Sequence, residues 1–179
     1  SYMSAAPLNP DYTRNEYEFY LSDLKPALVI VEHDSDNPVC EAAAALNIPI
    51  AEAQVTVDMS AGEFLLFDEE VDITPANAEQ EALVLHTSGT TSRPKVVPLL
   101  QKNILASARN IAASLELRNH DHCLNIMPLV HIHGLIAVLT SSIGTGASVC
   151  CSDGFNALKF FDIDNSEKII WYSGVPTMH

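Results

Sequence analysis

Positive charge is what this sequence has least of: nine Lys and Arg stand against 23 Asp and Glu, a formal net charge of −14. A nucleic-acid backbone is held by clustered cations that release counterions, so this balance excludes a nucleic-acid binder as the primary reading. No Lys or Arg occurs between Lys25 and Arg93, and carboxylates concentrate there, most densely at Asp68-Glu69-Glu70 and Asp72. Without the alternating ligand spacing of a calcium loop, that run reads as a solvated acidic segment. Cysteine is also sparse. Cys40, Cys123, Cys150 and Cys151 show no paired spacing, and no charged leader precedes an apolar stretch, so a reduced intracellular compartment is expected, the cytoplasm ahead of the peroxisome. Charge of either sign is missing between His122 and Ser152, but Asn125, Pro128, His131, His133, Gly144 and Gly146 interrupt that run. No membrane span is expected from it, because a crossing helix needs about 20 predominantly apolar residues. The non-Met start at Ser1 and the apolar finish at Val175–His179 suggest a piece of a larger protein.

Nearly half of the residues are apolar, enough for a folded domain. Thr13 is placed to cap a helix whose apolar positions Tyr17, Tyr20, Leu21 and Leu24 recur at helical spacing up to Pro26. Ala27–Val31 reads as a buried parallel strand, Pro38–Ala45 as a helix with proline in its first turn, and Ile48–Ala51 as the return to a sheet. Leu83–Leu85 is a further short strand, and Gln101–Leu115 a helix with Ile104, Ala108, Ile111 and Leu115 on one face. Then come a strand at Cys123–Met127, a helix from His133, a strand at Ser148–Cys151, a helix near Asn156–Phe161 and a strand at Ile169–Tyr172. This alternation implies an α/β fold with a mostly parallel sheet flanked by helices. The acidic, proline-bearing Asp68–Glu79 is the one linker candidate.

The chemistry concentrates just after the third strand. Leu85-His86-Thr87-Ser88-Gly89-Thr90-Thr91-Ser92-Arg93-Pro94-Lys95 carries five hydroxyls, one glycine and two cations. Hydroxyls and exposed N–H groups donate to several phosphate oxygens at once, Gly89 lets the backbone approach closely, and Lys95 neutralises charge. A Walker loop is rejected, although Gly89 and Lys95 have its spacing. Pro94 stands where that motif needs glycine, and Val96-Val97-Pro98 replaces its hydroxyl and helix start. An ordinary Ser/Thr-rich surface turn is the plain alternative on composition.

Thr87-Ser88-Gly89-Thr90-Thr91-x-x-Pro94-Lys95 resembles the signature of the acyl-adenylate-forming (AMP-dependent synthetase/ligase) superfamily. With Ser92 and Val96 where glycine is usual, Thr90-Thr91-Ser92-Arg93-Pro94-Lys95 looks like the loop of plant-type oxalate-CoA ligases. Three further segments agree: Pro7-Leu8-Asn9-Pro10 followed by Phe19–Leu24; Pro128-Leu129-Val130-His131-Ile132-His133-Gly134-Leu135, with Val130 in place of the usual phenylalanine; and Trp171–His179.

The resemblance implies that residues 1–179 are part of the large N-terminal domain of such an enzyme, without its small C-terminal domain or the catalytic lysine carried there. It further implies an acid-CoA ligase using ATP, magnesium and coenzyme A on a small carboxylic acid, with oxalate foremost. Another acyl-CoA ligase, for aryl or medium-chain fatty acids, and an inactive nucleotide-binding remnant remain as alternatives. On this resemblance Thr87, Ser88, Gly89, Thr90, Thr91 and Lys95 hold the ATP phosphates, with Ser92 as a further hydroxyl. His131 lies near the acyl carboxylate and α-phosphate as the catalytic and substrate-binding histidine, and His133 is a second substrate donor. Metal binding by His120, His122, His131 and His133 is the competing view; no further Cys or carboxylate has matching spacing, and no metal site is expected. Trp171 and Tyr172 read as a core strand ahead of a ligand-site wall. The isolated chain is expected to be inactive and marginally folded, since a parallel sheet short of neighbouring strands leaves apolar faces uncovered.

Overall fold

The computed structural model describes residues 3–56, 76–87, 94–152 and 154–178. The acidic run Asp68–Asp72 and most of the loop Thr87–Lys95 lie outside them. The described chain forms two compact units, Leu8–Pro75 and, joined by Tyr2–Pro7, Ala76–His179.

The first unit opens with α1 (Arg14–Leu24), and its start is set by a reciprocal cap. Glu16 N–H donates to Thr13 Oγ1 while Thr13 N–H donates to Glu16 Oε2 at 2.8 Å, satisfying two N–H groups that the first helical turn cannot pair. Lys25, in the left-handed region at φ 49°, closes the other end by donating to Leu21 O, and Pro26 prevents continuation. β1 (Val29–Glu32) and β2 (Ile50–Ala53) pair in parallel, Val29 opposite Ile50, with α2 (Val39–Ala45) between them in sequence. Val29 and Val31 are buried and Ile30 is exposed. The expected strand buried on both faces is therefore buried on one, because the core of Tyr17, Leu21, Val39, Ala42 and Ala43 covers a single face.

The second unit begins with a hairpin that the sequence reading did not contain: β3 (Glu81–Thr87) against β4 (Lys95–Leu100), antiparallel. Ala5 adds a parallel bridge to Leu83. α3 (Gln101–Ser114) buries Ala108 and Ala112 and brings Ile104 onto Leu83 and Leu85, while Leu115, expected on the same face, lies past the helix end and is exposed. β5 (His122–Asn125) is the centre of a parallel sheet with β6 (Ser148–Cys151) on one side and β7 (Trp171–Ser173) on the other. Cys123, Leu124 and Asn125 are almost wholly buried, as befits a central parallel strand. α5 (Ala157–Glu167) precedes β7, and its Phe160 meets Tyr172 edge-on at 4.7 Å. Among the described residues no helix is long and apolar enough to cross a membrane.

The helix expected from His133 is present, but its first eight residues, His133–Thr140, are π-helical before α4 (Ser141–Gly144) resumes the ordinary spacing. A π-helix widens the turn and weakens its ladder, so carbonyls need other donors. The hydroxyls of Thr140, Ser141 and Ser142 supply them, donating to the carbonyls of Leu135 at 2.7 Å, Ala137 at 2.6 Å and Val138 at 2.6 Å.

Candidate active site

The two ends of the hydroxyl-rich motif meet across the hairpin. Thr87 is the last residue of β3, Lys95 the first of β4, and the ladder pairs them directly. Ser88, Gly89, Thr90 and Thr91, with Ser92, lie outside the described residues. Residues two apart in a strand share a face, so Thr87 continues the face of Leu83 and Leu85. Those leucines pack with Ile136 of the π-helix, and Leu99, Ile104 and Leu135 close around them. The strand that launches the loop and the helix that follows His131 are thus rooted in one apolar cluster. The end of β3 at Thr87 and the histidine segment, 44 residues apart from Thr87 to His131 in sequence, are anchored to the same core.

The histidine segment leaves the carboxyl end of β5, the edge of a parallel sheet where ligands bind in open α/β folds. Asn125 makes the exit: its Oδ1 accepts from Met127 N–H at 3.1 Å. Its amide nitrogen is buried and, among the described residues, has no partner. The chain then turns at Pro128, whose carbonyl accepts from His131 N–H at 3.2 Å, and His131 O accepts from Leu135 N–H at 3.0 Å. His131 is exposed. His133 is half-buried, and its Nε2 lies 2.8 Å from Ser173 Oγ at the carboxyl end of β7. The turn is tight because Gly134 sits against backbone: a Cβ there would come within 2.7 Å of Pro128 O and 2.8 Å of Met127 O. Only glycine meets that approach without displacing the strand exit.

A cavity of about 430 Å³ lies beside the same sheet, between the ends of β5 and β6 and the start of α5, lined by Leu124, Ile126, Ser152, Lys159 and Phe160 among others. Thr87, Lys95, His131 and His133 do not line it. By strand alternation Leu124 and Ile126 face it and Asn125 belongs to the opposite face. Of the histidines weighed as metal ligands, His122 contacts Ser148 Oγ and His133 contacts Ser173. Among the described residues the side chains whose ligand atoms cluster within 4.8 Å are instead His33, Asp34 and Glu52, all exposed in the first unit.

Sequence reasoning missed Asn125, Ser173 and the role of Gly134. Asn125 had a signal, a lone polar residue inside an apolar strand. Ser173 had none, since its partner lies 40 residues away.

The sequence pattern of the AMP-binding enzyme family matches residues 3–179. The chain is 40% identical over 186 residues to the oxalate-CoA ligase of Arabidopsis thaliana, covering 98% of this chain and 36% of that protein. It is 35% identical over 199 residues to the oxalate-CoA ligase of Saccharomyces cerevisiae, covering 97% and 37%. In structure it is similar to o-succinylbenzoate coenzyme A synthetase from Bacillus subtilis in complex with ATP and magnesium ion, with a TM-score of 0.75, 26% identity and coverage of 96% of this chain and 34% of that one. The chain spans about a third of the length of the curated relatives it matches. On a match that runs almost end to end, it belongs to the AMP-binding enzyme family, the adenylate-forming enzymes.

Proposed function

We propose that the chain is part of the large N-terminal domain of an ATP-dependent acid-CoA ligase whose acid is oxalate. A carboxylate resists acyl transfer because its charge repels nucleophiles and its oxygen is a poor leaving group. In the proposed reaction a carboxylate oxygen attacks the α-phosphorus of ATP, pyrophosphate leaves, and an acyl-adenylate results. The thiol of coenzyme A then attacks the acyl carbon and AMP departs. Such chemistry asks the protein mainly to position anions and stabilise developing charge.

The observation that carries this reading is the shared apolar cluster of Leu83, Leu85 and Ile136. It ties the ends of the hydroxyl-rich loop and the histidine segment to one core, as a reaction between a phosphate and a carboxylate requires. Thr87 and Lys95, paired across the hairpin, would grip the β- and γ-phosphates together with Ser88, Gly89, Thr90 and Thr91. Lys95 contributes a mobile point charge. Magnesium would arrive with the ATP phosphates, and a hydroxyl oxygen such as that of Thr87 is the hard donor it prefers. His131, exposed at the carboxyl end of the sheet, is assigned to the acyl carboxylate and α-phosphate, where an imidazole N–H orients an oxyanion. A dianion such as oxalate has a second carboxylate to satisfy, and His133 is assigned to it. The oxalate assignment draws on the identities to the two oxalate-CoA ligases.

Carboxylate-dependent ATP–pyrophosphate exchange with the full-length enzyme tests this reading. Exchange driven by oxalate, and weakened by His131→Ala, supports it. Preference for aryl or medium-chain fatty acids would leave an acyl-CoA ligase of another specificity. A lack of exchange with every acid tried would leave a nucleotide-binding remnant.

A further inference from the structure

We infer that Ser173 is the positioning residue for His133, fixing the imidazole's proton on Nδ1 so that this edge donates to the substrate's second carboxylate. The inference rests on the proposed acid-binding role of the histidine segment and adds to it a residue that the motif does not contain. His133 stands at the first position of the π-helix and Ser173 at the carboxyl end of β7, 40 residues on, with Nε2 and Oγ 2.8 Å apart. Among the described residues this is the sole side-chain partner of either group.

A neutral imidazole and a hydroxyl hold two protons between them, and their mutual hydrogen bond uses one. The other must point outward, either from Ser173 Oγ or from His133 Nδ1. An unprotonated imidazole nitrogen accepts more strongly than an alcohol oxygen, so the serine O–H donates to Nε2, as in serine–histidine pairs generally. Nδ1 then carries the ring proton. A donor N–H is what an acid's oxygen needs; an unprotonated Nδ1 would repel it.

The backbone is built to hold this arrangement. Gly134 is wedged against the carbonyls of Met127 and Pro128, so the π-helix cannot slide toward β5. On the other side Gly174, next to Ser173, lies close to Ile126 and Met178, whose side-chain atoms would be 3.3 to 3.5 Å from a Cβ there. Both partners of the His133–Ser173 bond are therefore set against the exit of β5, and the bond closes the gap between β5's histidine segment and β7. A serine placed at a strand end for packing alone would need no donor geometry; this one faces a ring nitrogen.

Histidine-selective ¹⁵N spectra of the full-length enzyme, with His133→Gln for assignment, read the tautomer directly. The expected spectrum has a protonated Nδ1 and an unprotonated Nε2. Ser173→Ala should convert His133 to an averaged mixture and Ser173→Thr should restore it. A protonated Nε2 in the unaltered chain, or no change in Ser173→Ala, overturns the inference, and the first of these needs no variant to fold. In the full-length enzyme Ser173→Ala should raise KM for the acid about fivefold, the loss of one hydrogen bond, by more than it lowers kcat, with Ser173→Thr recovering KM. An equal KM in serine and alanine enzymes, or a loss of kcat alone, refutes the positioning role. If the unaltered enzyme shows no acid-dependent exchange, the functional reading fails instead, while the tautomer spectrum still decides whether Ser173 sets the ring.

Discussion

Replacing Gly134 with alanine opposes two well-measured effects at one atom. A methyl group on an interior helical residue ordinarily stabilises, by about 1 kcal/mol relative to glycine. Here the added Cβ would stand 2.7 Å from Pro128 O, 2.8 Å from Met127 O and 3.1 Å from Met127 C, where ordinary contact begins at 3.4 Å. All three are backbone atoms, so no rotamer change relieves the clash, and the π-helix or the β5 exit must shift by about 0.7 Å. Overpacking of that kind costs about 1–3 kcal/mol, and at its upper end it outweighs the propensity gain. With three backbone atoms in the way the upper end applies, so the expected net loss is about 2 kcal/mol, a fall in Tm of about 4–8 °C for a chain of this length. The displaced carbonyl of Pro128 also accepts from His131 N–H, so the histidine moves with it. A misplacement near 1 Å costs about 100-fold in rate, and acid-dependent exchange should fall much further than stability. Thermal unfolding and exchange, measured on the same variant, check both. An alanine enzyme as stable as the original, with undiminished exchange, would show that the segment relaxes freely and that the glycine is dispensable.

Lys95→Ala should raise KM for ATP by about 10–100-fold, the weight of one charge-assisted hydrogen bond, with little change in the KM for the acid; initial-rate kinetics separate the two. His33 is held above the ordinary histidine range first by its hydrogen bond to Glu52 and then by the charge of Asp34. Its raised folded-state pKa means that its stabilising contribution is complete below the unfolded value and is lost as pH rises through the folded value. Denaturant midpoints should fall across that window and lose the dependence in His33→Gln, while an unchanged pH profile in the variant would reject the link. Burial pushes the Cys123 thiol up to about 12, so iodoacetamide should label exposed Cys151 in the native chain and reach Cys123 only after unfolding; peptide mass mapping distinguishes the two.

Much of this protein is written in short-range pattern. The cap at Thr13, the stop at Lys25 and Pro26, the helix from Gln101 and the strand Ser148–Cys151 follow from local preference and apolar spacing, which the tertiary fold does not oppose. The order of hydroxyls, glycine, proline and lysine from Thr87 to Lys95 was enough to set aside a Walker loop and to point to an adenylate-forming enzyme. Three features were not legible. Lys95–Leu100 contains Pro98, which argues locally against a strand, yet it forms β4 by pairing with β3. Val29–Val31 looks buried throughout as a sequence, but which face is covered depends on where α1 and α2 pack. The π-helix has the apolar run of any buried helix, and the hydroxyls of Thr140, Ser141 and Ser142 that reach back to its carbonyls are equally at home in an α-helix.

The sequence by itself determined the family, because the order of hydroxyls, glycine, proline and lysine follows from side-chain type and from spacing within a few residues. Only the tertiary structure decided that Thr87 stands opposite Lys95, that Leu85 and Ile136 root loop and histidines in one core, and that Ser173 meets His133. Those are contacts between residues 8 to 51 positions apart in the chain, set by strand register and shared burial, and no local preference encodes them.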